Sequence, residues 1–249
     1  MFTRAARRRR RWRRRRRLAL LLAIALAAAI GGQHYARFHP VSPARTATTP
    51  VEPRTAVGTP PPKVTAGPDR PVLRWADFHG IELPVSTHDG PFHMHNGLAW
   101  GFTDTPLGAV LAAVNIGVRT AAQWGPGIYR PTITYEVTGP DAHALLAADD
   151  SDYAALRDAA HVAPGQPAGR GYAVEAAYRL AAYTPRAATA DVVSEGPASN
   201  GTTVLAVTRM QLVWQGGDWR VIAPPDGTWA SSATTASSLT GYIAFPNER

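Results

Sequence analysis

Eleven arginines fall within the first seventeen residues and run straight into an uncharged stretch at 18–30. They are Arg4, then Arg7, Arg8, Arg9, Arg10 and Arg11, then Arg13, Arg14, Arg15, Arg16 and Arg17. A globular core cannot bury such a block, whereas an apolar helix beside it inserts with its cations held on the cytoplasmic side. These arginines are therefore expected to orient a membrane segment and to send everything after it outside. The chain's formal charge is +8, so the residues beyond the tail carry about −3 and the basic isoelectric point describes the tail alone.

The uncharged run continues through Gly31 and Gly32 and makes about 22 Å of helix, against a hydrocarbon core of about 30 Å. Gln33, His34, Tyr35 and Ala36 extend it into the interface, and Trp12 with the nearest arginines can snorkel from the other side. A transmembrane helix over 18–36 is expected, with some bilayer thinning. Ala27-Ala28-Ala29 also satisfies a small-x-small cleavage rule, so a removed signal peptide stands as the alternative. A third option, a soluble tail that binds nucleic acid by counterion release, accounts poorly for the adjoining apolar helix. Anionic lipid headgroups satisfy the same arginines at about 1 kcal/mol each. The membrane is thus the expected partner, with no direct nucleic-acid contact.

There is no cysteine, which excludes disulfide and thiolate chemistry in an exported domain. Arginine outnumbers lysine 25 to 1, with Lys63 alone, and alanine is abundant, a composition that resembles high-GC bacterial proteins such as those of actinomycetes. Nine prolines between Pro40 and Pro71, among small residues, cannot support a core and predict an extended, disordered linker over 37–71. The segment 72–249 is then one extracytoplasmic domain.

Within it, Thr105 as N-cap and Pro106 in the first turn open a helix to about Trp124, with Leu107, Val110, Leu111, Val114 and Val118 at helical spacing. Asn115, Arg119 and Gln123 fall at intervals of four on the opposite face, and Gly108 with Ala112 allows close approach. A second helix is expected at 152–161, capped by Ser151, with Asp149, Asp150 and Asp152 favouring its N-terminal dipole. Alternation over 172–182 predicts a strand with Glu175 and Arg179 sharing one face, and further strands are expected at 188–195 and 203–215. Gly216-Gly217 is a two-residue hairpin turn. It pairs Trp214 with Trp219, Leu212 with Val221 and Met210 with Ala223, which places Trp214, Trp219, Leu212 and Val221 in a shared hairpin core. The fold class is α+β.

Candidate chemistry is sparse. His79, His88, His93 and His95, with Asp89, sketch a metal site, but their spacing matches no established motif and Asp89-Gly90-Pro91 reads as a turn. No nucleophile elbow, phosphate-binding loop, dinucleotide fingerprint or paired-histidine metalloprotease motif occurs. No catalytic residue, cofactor or metal is expected, and the chain reads as no enzyme.

A capped helix, a second helical region and a meander ending in the Trp214 to Trp219 hairpin together resemble the NTF2-like cone, in which helices pack into a curved antiparallel sheet. With the basic tail, a single transmembrane helix and a proline-rich linker, the layout is similar to the extracytoplasmic VirB8 and TcpC-type components of conjugation and secretion machines. It is also similar to membrane-anchored proteins that accompany actinobacterial mobile elements. The resemblance implies a non-enzymatic single-pass protein of the cell membrane, N-terminus cytoplasmic. Its outer domain would contact other envelope proteins, a homo-oligomer among the options, using the outer sheet and aromatics near Trp229, Tyr242 and Phe245. A fold-back of that C-terminal segment onto the domain is the competing role for those aromatics. NTF2-like cones also enclose pockets, so an exported ligand-binding or hydrolytic protein, released by signal cleavage, is the alternative.

Overall fold

The computed structural model describes residues 72–198 and 202–246. The arginine tail, the expected membrane helix and the proline-rich linker lie outside the described residues. Among the described residues no helix is long and apolar enough to cross a membrane. The architecture is mixed α+β, with one seven-stranded sheet, two short hairpins and three α-helices among the described residues.

The stretch 72–100, for which the sequence suggested no element, forms the two hairpins: β1 (Arg74–Phe78) with β2 (Ile81–Val85), and β3 (His93–His95) with β4 (Leu98–Trp100). Helix α1 (Pro106–Arg119) follows, capped as its sequence predicts, because Thr105 Oγ1 accepts the Gly108 N–H at 3.0 Å. Then come α2 (Pro126–Glu136), the short β5 (Val137–Thr138) and α3 (Ala142–Ala160). The remaining strands are β6 (Val174–Thr184), β7 (Ala187–Pro197), β8 (Thr203–Gln215), β9 (Asp218–Ile222), β10 (Ala233–Ala236) and β11 (Ile243–Ala244). Their order is β11-β6-β7-β8-β9-β5, with β10 also on β8. All pairs are antiparallel except β5 with β9.

The β8–β9 hairpin has the register expected from its turn: Trp214 faces Trp219 and Leu212 faces Val221, while Gly216 and Gly217 take φ of 66° and 83°. Leu212, Trp219 and Val221 are buried and Trp214 packs edge-on against Trp219. Met210 and Ala223 do not pair, because β9 ends at Ile222.

Helix α1 departs most from expectation. It ends at Arg119, short of the expected Trp124, and is buried on every side from Gly108 to Arg119, Asn115 included; Gln123, in the short turn Ala122–Trp124 beyond it, is buried too. One face of the helix packs on the sheet and another on β2 and β4. A helix covered on two sides has no solvent face for polar residues to occupy. Its entry is tight: a Cβ on Gly108 would meet the Thr103 carbonyl oxygen at 2.2 Å.

Two further expectations are corrected. Helix α3 begins at Ala142, so Asp149, Asp150 and Asp152 lie inside it and do not meet its N-terminal dipole. Glu175 and Arg179 occupy opposite faces of β6, because the register shifts between Glu175 and Ala177, and an extra residue in a strand reverses alternation. Glu175 therefore joins Ser194 in the interior, and Arg179 joins Asp191 outside. The C-terminal aromatics fold back as well: Trp229 and Phe245 are buried and Tyr242 is half-buried, so they are not an exposed contact surface. Phe245 packs edge-on against Trp75, and its N–H bonds the Ala176 carbonyl at 3.0 Å.

Candidate functional site

The last turn of α2 delivers Glu136 beneath the β3–β4 hairpin. Its Oε1 accepts the Ala99 N–H at 2.8 Å, its Oε2 has no hydrogen-bond partner, and the residue is 5% exposed. Burial pushes this carboxyl up to about 8, against the Ala99 N–H and the charge of Arg119, both of which act downward. Near neutral pH it therefore holds its proton.

Arg119, the last residue of α1, is the counterpart. Its Nη1 donates to the Asn115 carbonyl at 2.8 Å and to Asn115 Oδ1 at 3.0 Å. Its guanidinium lies 4.4 Å from the Phe78 ring centroid, and its Nη2 reaches Met94 Sδ at 3.7 Å. Burial pulls it down to about 10, with Glu136 opposing. The two groups sense each other without an ion pair among the described residues.

Beside Glu136, Asp218 ties the turn of the β8–β9 hairpin to the chain entering α1. Its Oδ2 accepts Gly101 N–H at 2.7 Å, and its Oδ1 accepts Phe102 N–H at 3.0 Å and its neighbour Trp219 N–H at 2.9 Å. Glu136, Asp218, Arg220, His93, Trp100 and Tyr135 line an open cleft of about 360 Å³. In this cleft Asp218 is committed to three backbone donors, whereas Glu136 accepts only one.

The sheet face turned away from α1 carries a second concentration of charge. Asp191 on β7 lies between Arg179 on β6 and Arg209 on β8. Burial alone would raise the Asp191 carboxyl, but hydrogen bonds and charge from Arg209 and Arg179 outweigh it and hold the group below its ordinary value.

The histidines do not converge. His79 stacks on Trp124 at 5.3 Å, His93 stacks on Trp100 at 5.3 Å, and Asp89 bonds Ser86, Thr103 and Thr105 side chains at the entrance to α1. Among the described residues no three His, Cys, Asp or Glu side chains are grouped to hold a metal. In α3, Asp150 accepts from Tyr129 Oη at 2.7 Å and pairs with Arg130 at 2.9 Å. Burial, with Asp152 and Asp150 adding, pushes Asp149 up to about 8. Glu175 is driven up to about 7 by burial, with the hydrogen bond from Ser194 Oγ at 3.0 Å acting the other way. Of the residues singled out in the sequence, Trp214, Trp219, Leu212 and Val221 are brought together as expected, and Arg7 to Arg17 lie outside the described residues.

Glu136, Asp218, Asp191 and Arg209 carried no motif. Asp191 left a faint signal, the one acid among the Ala, Thr and Val residues of 187–193, but its arginine partners depend on the β7–β8 register.

No curated protein and no solved structure matches the chain. A family model described as a domain of unknown function, DUF8175, matches residues 39–244. That span is most of the chain, and the protein belongs to the DUF8175 family.

Proposed function

We propose that this is a non-enzymatic, single-pass membrane protein, with its arginine tail in the cytoplasm and an NTF2-like domain outside that makes protein contacts in a conjugation or secretion assembly. The observation that carries the topology is the charge asymmetry: eleven arginines precede an uncharged segment, and the rest of the chain is slightly acidic. The order of α1, α2, β5 and α3 followed by the β6 to β9 meander supports the NTF2-like reading. Burial of Gly108 through Arg119 supports a scaffold over a ligand-enclosing cone, because helix side chains fill the space against the sheet's inner face. The contact surface belongs to the β3–β4 hairpin and α2, where Phe92 and Met94 are each 49% exposed and Tyr135 is 60% exposed.

Protease added to intact protoplasts is expected to digest the region 72–246 while the tail survives, with in-cell crosslinks to other membrane proteins that weaken in a Trp100→Ser, Tyr135→Ser double variant. Full protection from protease overturns the topology. Recovery only as a soluble monomer in culture fluid overturns the assembly role.

A further inference from the structure

In the meander, one acidic residue on β7 faces an arginine on each neighbouring strand: Arg179, Asp191 and Arg209 lie in one row across β6, β7 and β8. Arg179 donates from Nε at 3.0 Å and Nη2 at 2.6 Å, both to Asp191 Oδ2. Arg209 donates from Nε to Oδ1 at 2.7 Å and from Nη2 to Oδ2 at 3.1 Å. The Asp191 side chain is left 2% exposed, whereas those of Arg179 and Arg209 are 46% and 55% exposed. One guanidinium would neutralise this carboxylate. Two seal it, and what the row presents to solvent is guanidinium only, with Nη1 of each arginine taking no part in the Asp191 contacts. Arg179 is held further by the Tyr242 ring, 4.9 Å from its guanidinium carbon.

The row lies on the floor of a cavity, and the strand pairing explains why the cavity exists. One edge of β8 is shared: β9 pairs with it over Leu212 to Gln215, and β10 pairs over Leu205 to Thr208. Arg209 and Gln211 fall in the interval between. The chain that links β9 to β10 leaves the β8 edge at Pro224, packs on α3 at Gly227 and is pinned by buried Trp229, whose Nε1 donates to Thr120 Oγ1 at 3.2 Å. It leaves an opening of about 540 Å³ lined by both arginines, Gln211, Ser232 and Thr234. That volume is in the range of small-ligand sites, about 300–1,000 Å³. Two guanidiniums fixed by Asp191, each with its Nη1 left over from those contacts, suit planar or tetrahedral oxyanions alongside neighbouring hydroxyl and amide donors. Asp141 also lines the opening, and its carboxylate opposes an anion there.

We propose that this cavity binds an oxyanion, a carboxylate or a phosphate, seated on the Arg179 and Arg209 guanidiniums that cover Asp191. The site lies on the opposite sheet face from α1 and stands independently of the membrane-tethered reading.

The test is calorimetric titration of the full chain in neutral detergent, with succinate and inorganic phosphate in separate arms. The expected result is a saturable event for at least one anion, weakened about tenfold in Arg209→Lys, which keeps the charge but loses the Nη1 donor that Asp191 leaves over. The same event should be tightened in Asp141→Asn. The arm that responds identifies the source of the oxyanion, and thermal melts of each variant show that it is folded. If Arg209→Lys does not fold, Asp141→Asn together with Gln211→Ala carries the test, the second expected to weaken binding. Heat unchanged by every folded variant means that only the arginine tail binds the anion, and it overturns the proposal. So does the absence of saturable heat in both arms.

Discussion

Asp218 accepts the Gly101 N–H at 2.7 Å, so the tight turn of the β8–β9 hairpin is fastened to a segment 117 positions earlier. The same carboxylate takes the Phe102 N–H at 3.0 Å, and the Trp219 indole then donates to the Thr103 carbonyl at 2.8 Å. A hairpin of local origin thereby aligns the chain that enters α1.

Asp218→Ala removes a carboxyl acceptor from three backbone donors, two of which lie in the loop between β4 and α1. Hydrogen bonds to charged groups are worth about 1.5–3 kcal/mol each, with strong non-additivity. A loss of about 3 kcal/mol is expected in urea denaturation, and Asp218→Asn should lose less because one acceptor oxygen remains. Equal stability of all three proteins contradicts the fastening role.

Three buried carboxyls set a pH dependence. Glu136 and Asp149 are raised to about 8 and Glu175 to about 7 from ordinary values of 4.5, 3.8 and 4.5. A folded state that keeps a proton which the unfolded chain releases is favoured below the ordinary value and loses that contribution as pH rises through the folded value. Stability should therefore decline between about pH 4.5 and pH 8. Glu136→Gln should flatten part of that slope, gaining about 1–3 kcal/mol at pH 8.5 with little change at pH 4. Denaturant midpoints across that range provide the check, and an unaltered slope would show that Glu136 does not hold the proton.

Gly108 and Gly127 make a contrasting pair. A Cβ at Gly108 would stand 2.2 Å from the Thr103 carbonyl oxygen, whereas one at Gly127 in the first turn of α2 has nothing within 4 Å. Gly108→Ala should cost about 2 kcal/mol or more through overpacking against backbone, and Gly127→Ala should stabilise by about 0.5–1 kcal/mol through reduced freedom of the unfolded chain. Thermal melts of the two variants should shift in opposite directions.

Asn115 joins α1 to the first hairpin, since its Nδ2 donates to the Pro84 carbonyl at 2.9 Å while its Oδ1 accepts from Arg119. Asn115→Leu leaves a buried carbonyl and a buried guanidinium donor without their partner, a cost of about 1–3 kcal/mol per group. Asn115→Asp keeps the acceptor for Arg119 and removes the donor to Pro84. If Asn115→Asp is the more stable at neutral pH, the acceptor kept for Arg119 outweighs the cost of setting a carboxyl beside the Pro84 carbonyl; the reverse order shows that it does not. Chemical denaturation of both variants decides between them.

Local rules made much of this protein legible. Thr105 with Pro106 announces the start of α1 because capping and a fixed φ act within four residues, and Gly216-Gly217 sets the Trp214 to Trp219 register because a two-residue turn leaves no other pairing. Interactions across distance were hidden. Whether Asn115 and Arg119 meet water depends on hairpins that cover α1 from the side away from the sheet, and the sides of β6 taken by Glu175 and Arg179 depend on a bulge that no residue type signals. The row of Arg179, Asp191 and Arg209 arises only once three strands are in register, since residues 30 positions apart acquire their charge partners from the sheet and not from the chain.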